Sequence, residues 1–218
     1  MSFTLGLYEV FAYSLPGGAY AALLAYVADR FGWLPHPLPF QGEPGVAVLV
    51  LAGLSYALGH LAYGAGRWLE REVRPHLTPP RRRGTGTRVE RNRARFLVRC
   101  PQAAGRPYLE INPSLLLAAV QLLNRDAAAE VERINVGAMM LRGLAPPAFA
   151  GAAVAVAEAV ARGRPDLAGL GALLAATGTA CWLLYDQRAH WAEHKVCEFA
   201  FWMPEIDAAL VRPAPPAP

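Results

Sequence analysis

The sequence predicts an all-helical integral membrane protein with four transmembrane helices, and two observations carry this prediction. Hydrophobic residues make up 54% of the 218 residues and charged residues only 17%, whereas an average soluble domain carries about 25% charged residues. Four stretches of 19 residues each contain at most one Asp, Glu, Lys or Arg. About 20 apolar residues at 1.5 Å each cross the roughly 30 Å hydrocarbon layer of a bilayer. A buried helix of a soluble protein is usually shorter and amphipathic.

The four spans are predicted at residues 10–28, 46–64, 143–161 and 167–185. No Lys or Arg precedes the first span, so it lacks the basic region of a cleaved signal peptide. Pro16 and the two glycines after it predict a kink or a local unwinding within this span.

The distribution of arginine predicts the orientation. Of the 20 arginines, twelve lie within residues 67–106 against three acidic residues, while the connection 29–45 holds one. The positive-inside rule therefore places the segment between the second and third spans in the cytoplasm. Because the number of spans is even, both termini are expected there too (N-in/C-in). We expect a multi-pass protein of the plasma membrane, the inner membrane of a bacterium.

These spans divide the chain into four regions. We expect a first transmembrane hairpin at 1–66, a basic cytoplasmic loop with short helices at 67–134, and a second transmembrane hairpin at 135–185. Residues 186–218 are expected to form a cytoplasmic amphipathic helix, ended by Pro204, and a disordered Pro-rich tail.

The cytoplasmic loop predicts several short elements. Two apolar runs within residues 95–111 suggest a small β-hairpin. Asn112-Pro113-Ser114 is typical of a helix start, and the apolar residues 115–123 that follow are too few to span. Residues 127–141 predict an amphipathic helix that leads directly into the third span.

The C-terminal helix carries an apolar stripe at 3–4 spacing, formed by Ala189, Ala192, Val196, Phe199 and Met203. Such a stripe packs on the central loop, on a partner subunit or on the bilayer surface. Packing within the protein is the ordinary role of a stripe of this kind.

One short pattern suggests metal chemistry. His190 to His194 match the H-x-x-E-H pattern of inverted zinc proteases, and Cys197 follows on the same helix face. Only 21 residues follow Cys197, which leaves little chain for a further ligand and no soluble domain for a substrate cleft. The alternative is a solvated polar helix face. We expect no cofactor; zinc at His190, His194 and Cys197 is the one candidate.

Two ionisable residues lie within the predicted spans, where such residues are functional candidates. His60 stands close to the arginine-rich end of the second span, where a hydrogen bond to a neighbouring helix is expected. Glu158 near one end of the third span, and Arg142 at its other end, are expected to reach the interface by snorkelling.

The basic loop predicts contacts with anionic lipid headgroups. The arginines expected to make them are Arg81, Arg82, Arg83, Arg88, Arg91, Arg93 and Arg95. Nucleic acid is not expected as a partner, because no aromatic residues interleave this segment for base stacking.

Small residues at four-residue spacing predict close helix packing, within one subunit or in a homo-oligomer. They are Gly151, Ala155, Gly171, Ala175 and Thr179.

Together these features favour a membrane protein that acts by binding and assembly, as a scaffold or a subunit of a complex. Its basic loop and C-terminal helix would contact a protein partner at the cytoplasmic face. The first alternative is an oligomeric pore, a small transporter or a membrane-perturbing effector. The second alternative is a membrane-bound metalloenzyme that uses the segment from His190 to Cys197; an enzyme is the less favoured class.

Overall fold

The computed structural model describes residues 3–33, 44–72 and 88–211. Within these ranges every regular element is helical and no strand occurs. The α-helices are α1 (Phe3–Arg30), α2 (Pro44–Glu72), α3 (Arg88–Arg99), α4 (Pro113–Leu123), α5 (Arg125–Arg162), α6 (Pro165–Phe201) and α7 (Pro204–Val211). Two short 3-10 helices, Pro101–Ala103 and Pro107–Glu110, lie between α3 and α4.

Four helices of the described chain, α1, α2, α5 and α6, are long and apolar enough to cross a bilayer. The prediction of four such helices is confirmed, as expected of a multi-pass membrane protein. Helix α5 has 38 residues and α6 has 37, about twice the length that a span requires. The predicted extensions at 127–141 and 186–203 are therefore continuous with their spans, and the second of them ends at Phe201.

Helix α1 runs through Pro16 as one helix, so the first span does not unwind there, and a kink at Pro16 stays a prediction. Pro16 is buried, and its ring lies against Gly143 at the start of the third span. A proline in a membrane helix removes one backbone hydrogen bond, and close neighbours compensate for that loss.

The predicted hairpin at residues 95–111 is also wrong, because these residues form the end of α3 and the two 3-10 helices. Asn92 and Phe96, four residues apart, are buried on one face of α3. For so short an apolar run, periodicity alone does not tell whether the residues form a helix or a strand. Pro101 and Pro107 lack the backbone N–H groups that a paired strand needs.

Two asparagines define the ends of the helices that follow. The Asn112 side chain accepts a hydrogen bond from Ser114 N at 3.0 Å and caps α4, as the sequence predicts. The backbone N–H of Asn124 donates a hydrogen bond to the Val120 carbonyl at the end of α4. The Asn124 side-chain oxygen accepts a hydrogen bond from Ala127 N at 3.0 Å at the start of α5. Between α5 and α6 the chain turns at Gly163, whose φ of +64° is a conformation that favours glycine.

The chain forms two compact units. The membrane unit comprises residues 1–78 and 136–186, and the second unit comprises residues 79–135 and 187–218. The core of the second unit includes the buried side chains of Phe96, Tyr108, Leu109, Leu116, Val120, Val131, Val196 and Ile206.

Four of the five residues of the C-terminal stripe contribute to this core. Ala192 and Val196 are buried in it, with Phe199 and Met203 packed against it. Of the three surfaces considered from the sequence, the stripe therefore packs on residues of the central loop. Helix α7 adds Ile206 and was not predicted. Residues 34–43, 73–87 and 212–218 lie outside the described residues, and with them most of the predicted outer connection, Arg81 to Arg83 and the Pro-rich tail.

Candidate functional site

Arg142 is the centre of the most unusual polar arrangement in the membrane unit. It is a buried residue, 9% exposed, at the start of the third span. Its Nη1 donates to the Glu70 carboxylate at 3.3 Å, and its guanidinium carbon lies 4.4 Å from the centre of the Tyr63 ring and 5.7 Å from that of Tyr185. We call Tyr63, Glu70, Arg142 and Tyr185 the Arg142 cluster.

Arg142 packs among protein groups, and its snorkelling to the interface stays a prediction. A charged side chain is buried only with partners, and here the partners are one carboxylate and two aromatic faces that attract the cation. A Cβ at Gly66 would lie 3.0 Å from the Arg142 carbonyl oxygen, so α2 passes close to the start of the third span. Gly66 was the residue in the sequence that could have indicated this close approach.

Among the described residues His60 makes aromatic contacts, and its expected hydrogen bond to a neighbouring helix stays a prediction. Its ring stacks on Tyr13 of α1 with centroids 4.1 Å apart, and it meets the edge of Tyr56 at 4.8 Å. The histidine side chain is exposed at the protein surface. This contact joins α1 to α2 near the Arg142 cluster, because Tyr13 also approaches Tyr63 at 6.4 Å.

Glu158 is held by α1 at the opposite end of the third span. Its carboxylate accepts hydrogen bonds from the Tyr26 hydroxyl and from Arg30 Nε, the latter at 2.7 Å. Arg162, one turn further along α5, lies 3.9 Å from the same carboxylate. Glu158 therefore links α5 to α1 through one ion pair and one hydrogen bond, in addition to standing near the predicted interface.

Two glycines mark a very close contact between α1 and α2 in the membrane unit. A Cβ at Gly17 would overlap the Ser55 carbonyl, and one at Gly59 would overlap the Tyr13 carbonyl. The two backbones touch at this crossing, as at small-residue contacts between membrane helices. Ser55 and Gly59 stand at four-residue spacing, a signal that the sequence prediction passed over.

The predicted small residues of α5 and α6 have varied surroundings. A Cβ at Gly171 would lie 2.8 Å from Val156 Cγ2, and one at Gly151 would lie 3.3 Å from Leu174 Cδ1. Ala155 is buried and Ala175 is half-buried. Thr179 is exposed, and its hydroxyl donates to the Ala175 carbonyl at 2.8 Å.

The three candidate zinc ligands lie in the second unit. Among the described residues, no three His, Cys, Asp or Glu side chains come together in a group that could hold a metal ion. His194 packs edge-on against Phe96 at 5.4 Å, with Arg99 Nη1 3.4 Å from its Nε2, and Cys197 is buried in the hydrophobic core. Glu193, the acid of the pattern, accepts a hydrogen bond from Asn92.

Tyr108 places an unusual polar atom in this core. The residue is 1% exposed, and no described residue makes a hydrogen bond to its hydroxyl. Burial raises the pKa of Tyr108 to about 12. Its phenol and the Cys197 thiol line the same small pocket.

The arginines expected to bind lipid are only partly described. Arg81 to Arg83, and the side chains of Arg88 and Arg91, lie outside the described residues. Arg93 donates to the Ile111 carbonyl and so contributes to the second unit itself. Arg95 is exposed.

Comparison of the chain with family models, with curated proteins and with solved structures gives no match. The sequence and the geometry described above are therefore the basis for a functional proposal.

Proposed function

We propose that the chain is a multi-pass membrane protein that acts by binding and assembly. Its four spans, N-in and C-in, hold the second unit in the cytoplasm, where that unit contacts a partner protein. The arginine-rich segment between the second and third spans supports this orientation. The packed core of the second unit supports a folded binding module in place of a simple connecting loop.

The observation that carries the proposal is the exposed face of α4. Leu116 and Val120 bury one side of this helix, while Leu115 and Leu122, on its other side, are 66% and 88% exposed. Helix α4 contains no Asp, Glu, Lys or Arg. A helix that lies in a membrane interface has a charged or polar face opposite its apolar one. In α4 the side away from the exposed leucines is instead buried in the core of the second unit. Its exposed leucines therefore suit a protein partner.

The charge of the neighbouring helix indicates the chemistry of that partner. Helix α3 carries five arginines and one glutamate over 12 residues. An apolar surface with acidic residues around it would complement α4 and α3 together, since opposite charges at the rim of an interface increase the rate and specificity of association.

Site-specific photo-crosslinking in cells tests this proposal. A photoreactive amino acid at Leu122 of the full chain should give an adduct with another protein, and Leu115→Glu should abolish it. The same amino acid at Gln102, an exposed polar position of the same unit, is the control. Adducts with lipid alone would place α4 on the bilayer, and adducts with a second copy of the chain would show self-association; both results contradict a distinct protein partner.

A pore or transporter is the second candidate, and the Arg142 cluster favours it. Ionisable side chains within membrane spans often mark the path of an ion or substrate, and Arg142 and His60 lie near the same ends of the spans. Reconstituted protein should then carry anions across liposomes, and Arg142→Gln should abolish the flux. Parent liposomes as tight as protein-free ones would remove this candidate.

A further inference from the structure

The guanidinium of Arg142 has one edge that the protein leaves unused. Nη1 donates to Glu70, and the hydroxyl groups of Tyr63 and Tyr185 also approach the guanidinium. Nε and Nη2 are buried, and neither has an acceptor in good hydrogen-bonding geometry among the described residues. A buried charged donor without an acceptor is costly. The geometry therefore favours an additional acceptor at this edge.

The chemistry of the edge selects the kind of acceptor. Nε and Nη2 point their N–H groups in the same direction, and this fork matches two oxygens of one carboxylate or phosphate group. Such bidentate pairs are shorter and stronger than neutral hydrogen bonds. A single water molecule offers only one oxygen to the two donors.

The depth of Arg142 favours phosphate. The residue directly precedes the third predicted span, Tyr63 lies in the last turn of the second, and Tyr185 ends the fourth. These span ends meet at the boundary of the hydrocarbon layer, next to which the phosphate groups of a bilayer lie. Arg67, exposed one turn beyond Tyr63, adds positive charge on the same helix.

We propose that the Nε–Nη2 edge of Arg142 binds a phosphate oxyanion, supplied by a phospholipid headgroup or by free phosphate. The rings of Tyr63 and Tyr185 lie against the guanidinium. Because Nε and Nη2 are buried, the groups around this edge must move for the oxyanion to enter. The Glu70 carboxylate competes for the same cation and thereby weakens binding.

Thermal unfolding of the full chain, delipidated in neutral detergent, tests the proposal with two probes. One probe is inorganic phosphate and the other is a short-chain phosphatidylglycerol. A ligand that binds the folded state raises the Tm as its concentration increases. Stabilisation by the lipid alone identifies a headgroup site, and stabilisation by inorganic phosphate identifies a site for free phosphate; both results support the proposal.

Three variants distinguish this edge from general electrostatics. Arg142→Lys keeps the charge but removes the fork, so the apparent affinity should fall at least about tenfold. Glu70→Gln removes the competing carboxylate and should increase the affinity. Arg67→Lys, the same change at an exposed arginine, should leave the affinity unchanged.

Two results would overturn the proposal. The first is no stabilisation of the parent by either probe, which would mean that the tyrosine faces alone satisfy the guanidinium. The second is equal stabilisation of the parent and Arg142→Lys. If Arg142→Lys does not fold, Glu70→Gln decides: tighter binding than in the parent supports the site, and unchanged binding overturns it.

Discussion

The Tyr108 hydroxyl shows how a single buried atom affects stability. The ring fills the core of the second unit, but its oxygen has no hydrogen-bond partner among the described residues. An unsatisfied buried polar group costs about 1–3 kcal/mol. We therefore expect Tyr108→Phe to preserve or increase the stability of this unit, by about 1 kcal/mol. Tyr108→Ala, which leaves a cavity, should cost about 3–5 kcal/mol.

The reactivity of Cys197 measures this effect, because Cys197 lies in the same core. In a background with Cys100→Ser and Cys181→Ser, the rate of thiol labelling reports opening of the second unit. Tyr108→Phe should label as slowly as the parent or more slowly, and Tyr108→Ala should label faster. Faster labelling of Tyr108→Phe would mean that the hydroxyl has a stabilising partner after all.

The same residue predicts a dependence on alkaline pH. The folded-state pKa of Tyr108 is raised to about 12, while that of an unfolded tyrosine is about 10. The folded state thus favours the neutral phenol. Its contribution to the free energy of unfolding is complete below about pH 10 and is lost as the pH rises towards 12. Labelling of Cys197 relative to a free thiol should accelerate over this range in the parent, and less so in Tyr108→Phe. Identical pH profiles would contradict the assignment.

Glu158 illustrates a residue whose partners the sequence did not reveal. Its carboxylate joins α5 to Tyr26 and Arg30 of α1. Glu158→Gln should lower the Tm of the detergent-solubilised protein, because the neutral amide loses the attraction to Arg30. Glu72→Gln, at an exposed carboxylate paired with its neighbour Arg71, is the control and should change little.

A charge exchange completes the test of this ion pair. The double variant Arg30→Glu, Glu158→Arg should recover part of the stability that each single variant loses. Additive losses in the double variant would show that the two side chains do not interact.

At the level of whole helices, the crossing of α1 and α2 depends on glycine. The backbones touch at Gly17 and Gly59, and a methyl group at Gly59 would overlap the Tyr13 carbonyl. Gly59→Ala should therefore displace the helices and cost about 1–3 kcal/mol, as overpacking does. Gly53, six residues earlier on α2, has no neighbouring atom within 4 Å of its Cβ position. Gly53→Ala is thus the matched control, and it should leave the Tm unchanged or raise it.

Thermal unfolding in detergent measures both variants, and crosslinking between cysteines introduced on α1 and α2 measures the crossing itself. Equal Tm values for Gly59→Ala and Gly53→Ala would show that this crossing tolerates a side chain. The helices would then lie further apart than the structure places them.

The sequence predicted the helices better than their contacts. The apolar stretches, Asn112 as a cap and the stripe around Val196 follow from local rules of hydropathy, capping and periodicity, which depend on neighbours along the chain. The close approach of Gly59 to Tyr13 depends on residues far apart in the sequence. The hairpin prediction failed for a related reason, because Phe96 is equally apolar in a strand or on the buried face of α3.

The candidate site was predictable only in part. His60 and Glu158 stand out as ionisable residues within apolar stretches, and the structure gives each of them aromatic or charged neighbours. Arg142 did not stand out, since an arginine at a span boundary usually reaches water. Its burial depends on Tyr63 and Tyr185, whose approach only the fold reveals.

For the molecule as a whole, the span ends pair as expected of four successive spans. Near one end, Arg142 before the third span meets Tyr63 and Tyr185, at the ends of the second and fourth spans. Near the other, Glu158 late in the third span meets Arg30, just after the first. These pairings are those of helices that alternate in direction, as four successive spans require.

The last prediction concerns which side each connection faces. With Cys181→Ser and Cys197→Ser as background, Cys100 is the remaining native thiol, in the arginine-rich segment between the second and third spans. The positive-inside rule places it in the cytoplasm, so a membrane-impermeant maleimide should label it only after cells are opened. Trp33→Cys with Cys100→Ser moves the thiol to the connection after α1, where Trp33 is 72% exposed. This variant should be labelled in intact cells. The opposite pattern would place the arginines outside. Labelling of both thiols from one side would mean that α2, the one candidate span described between them, does not cross the membrane.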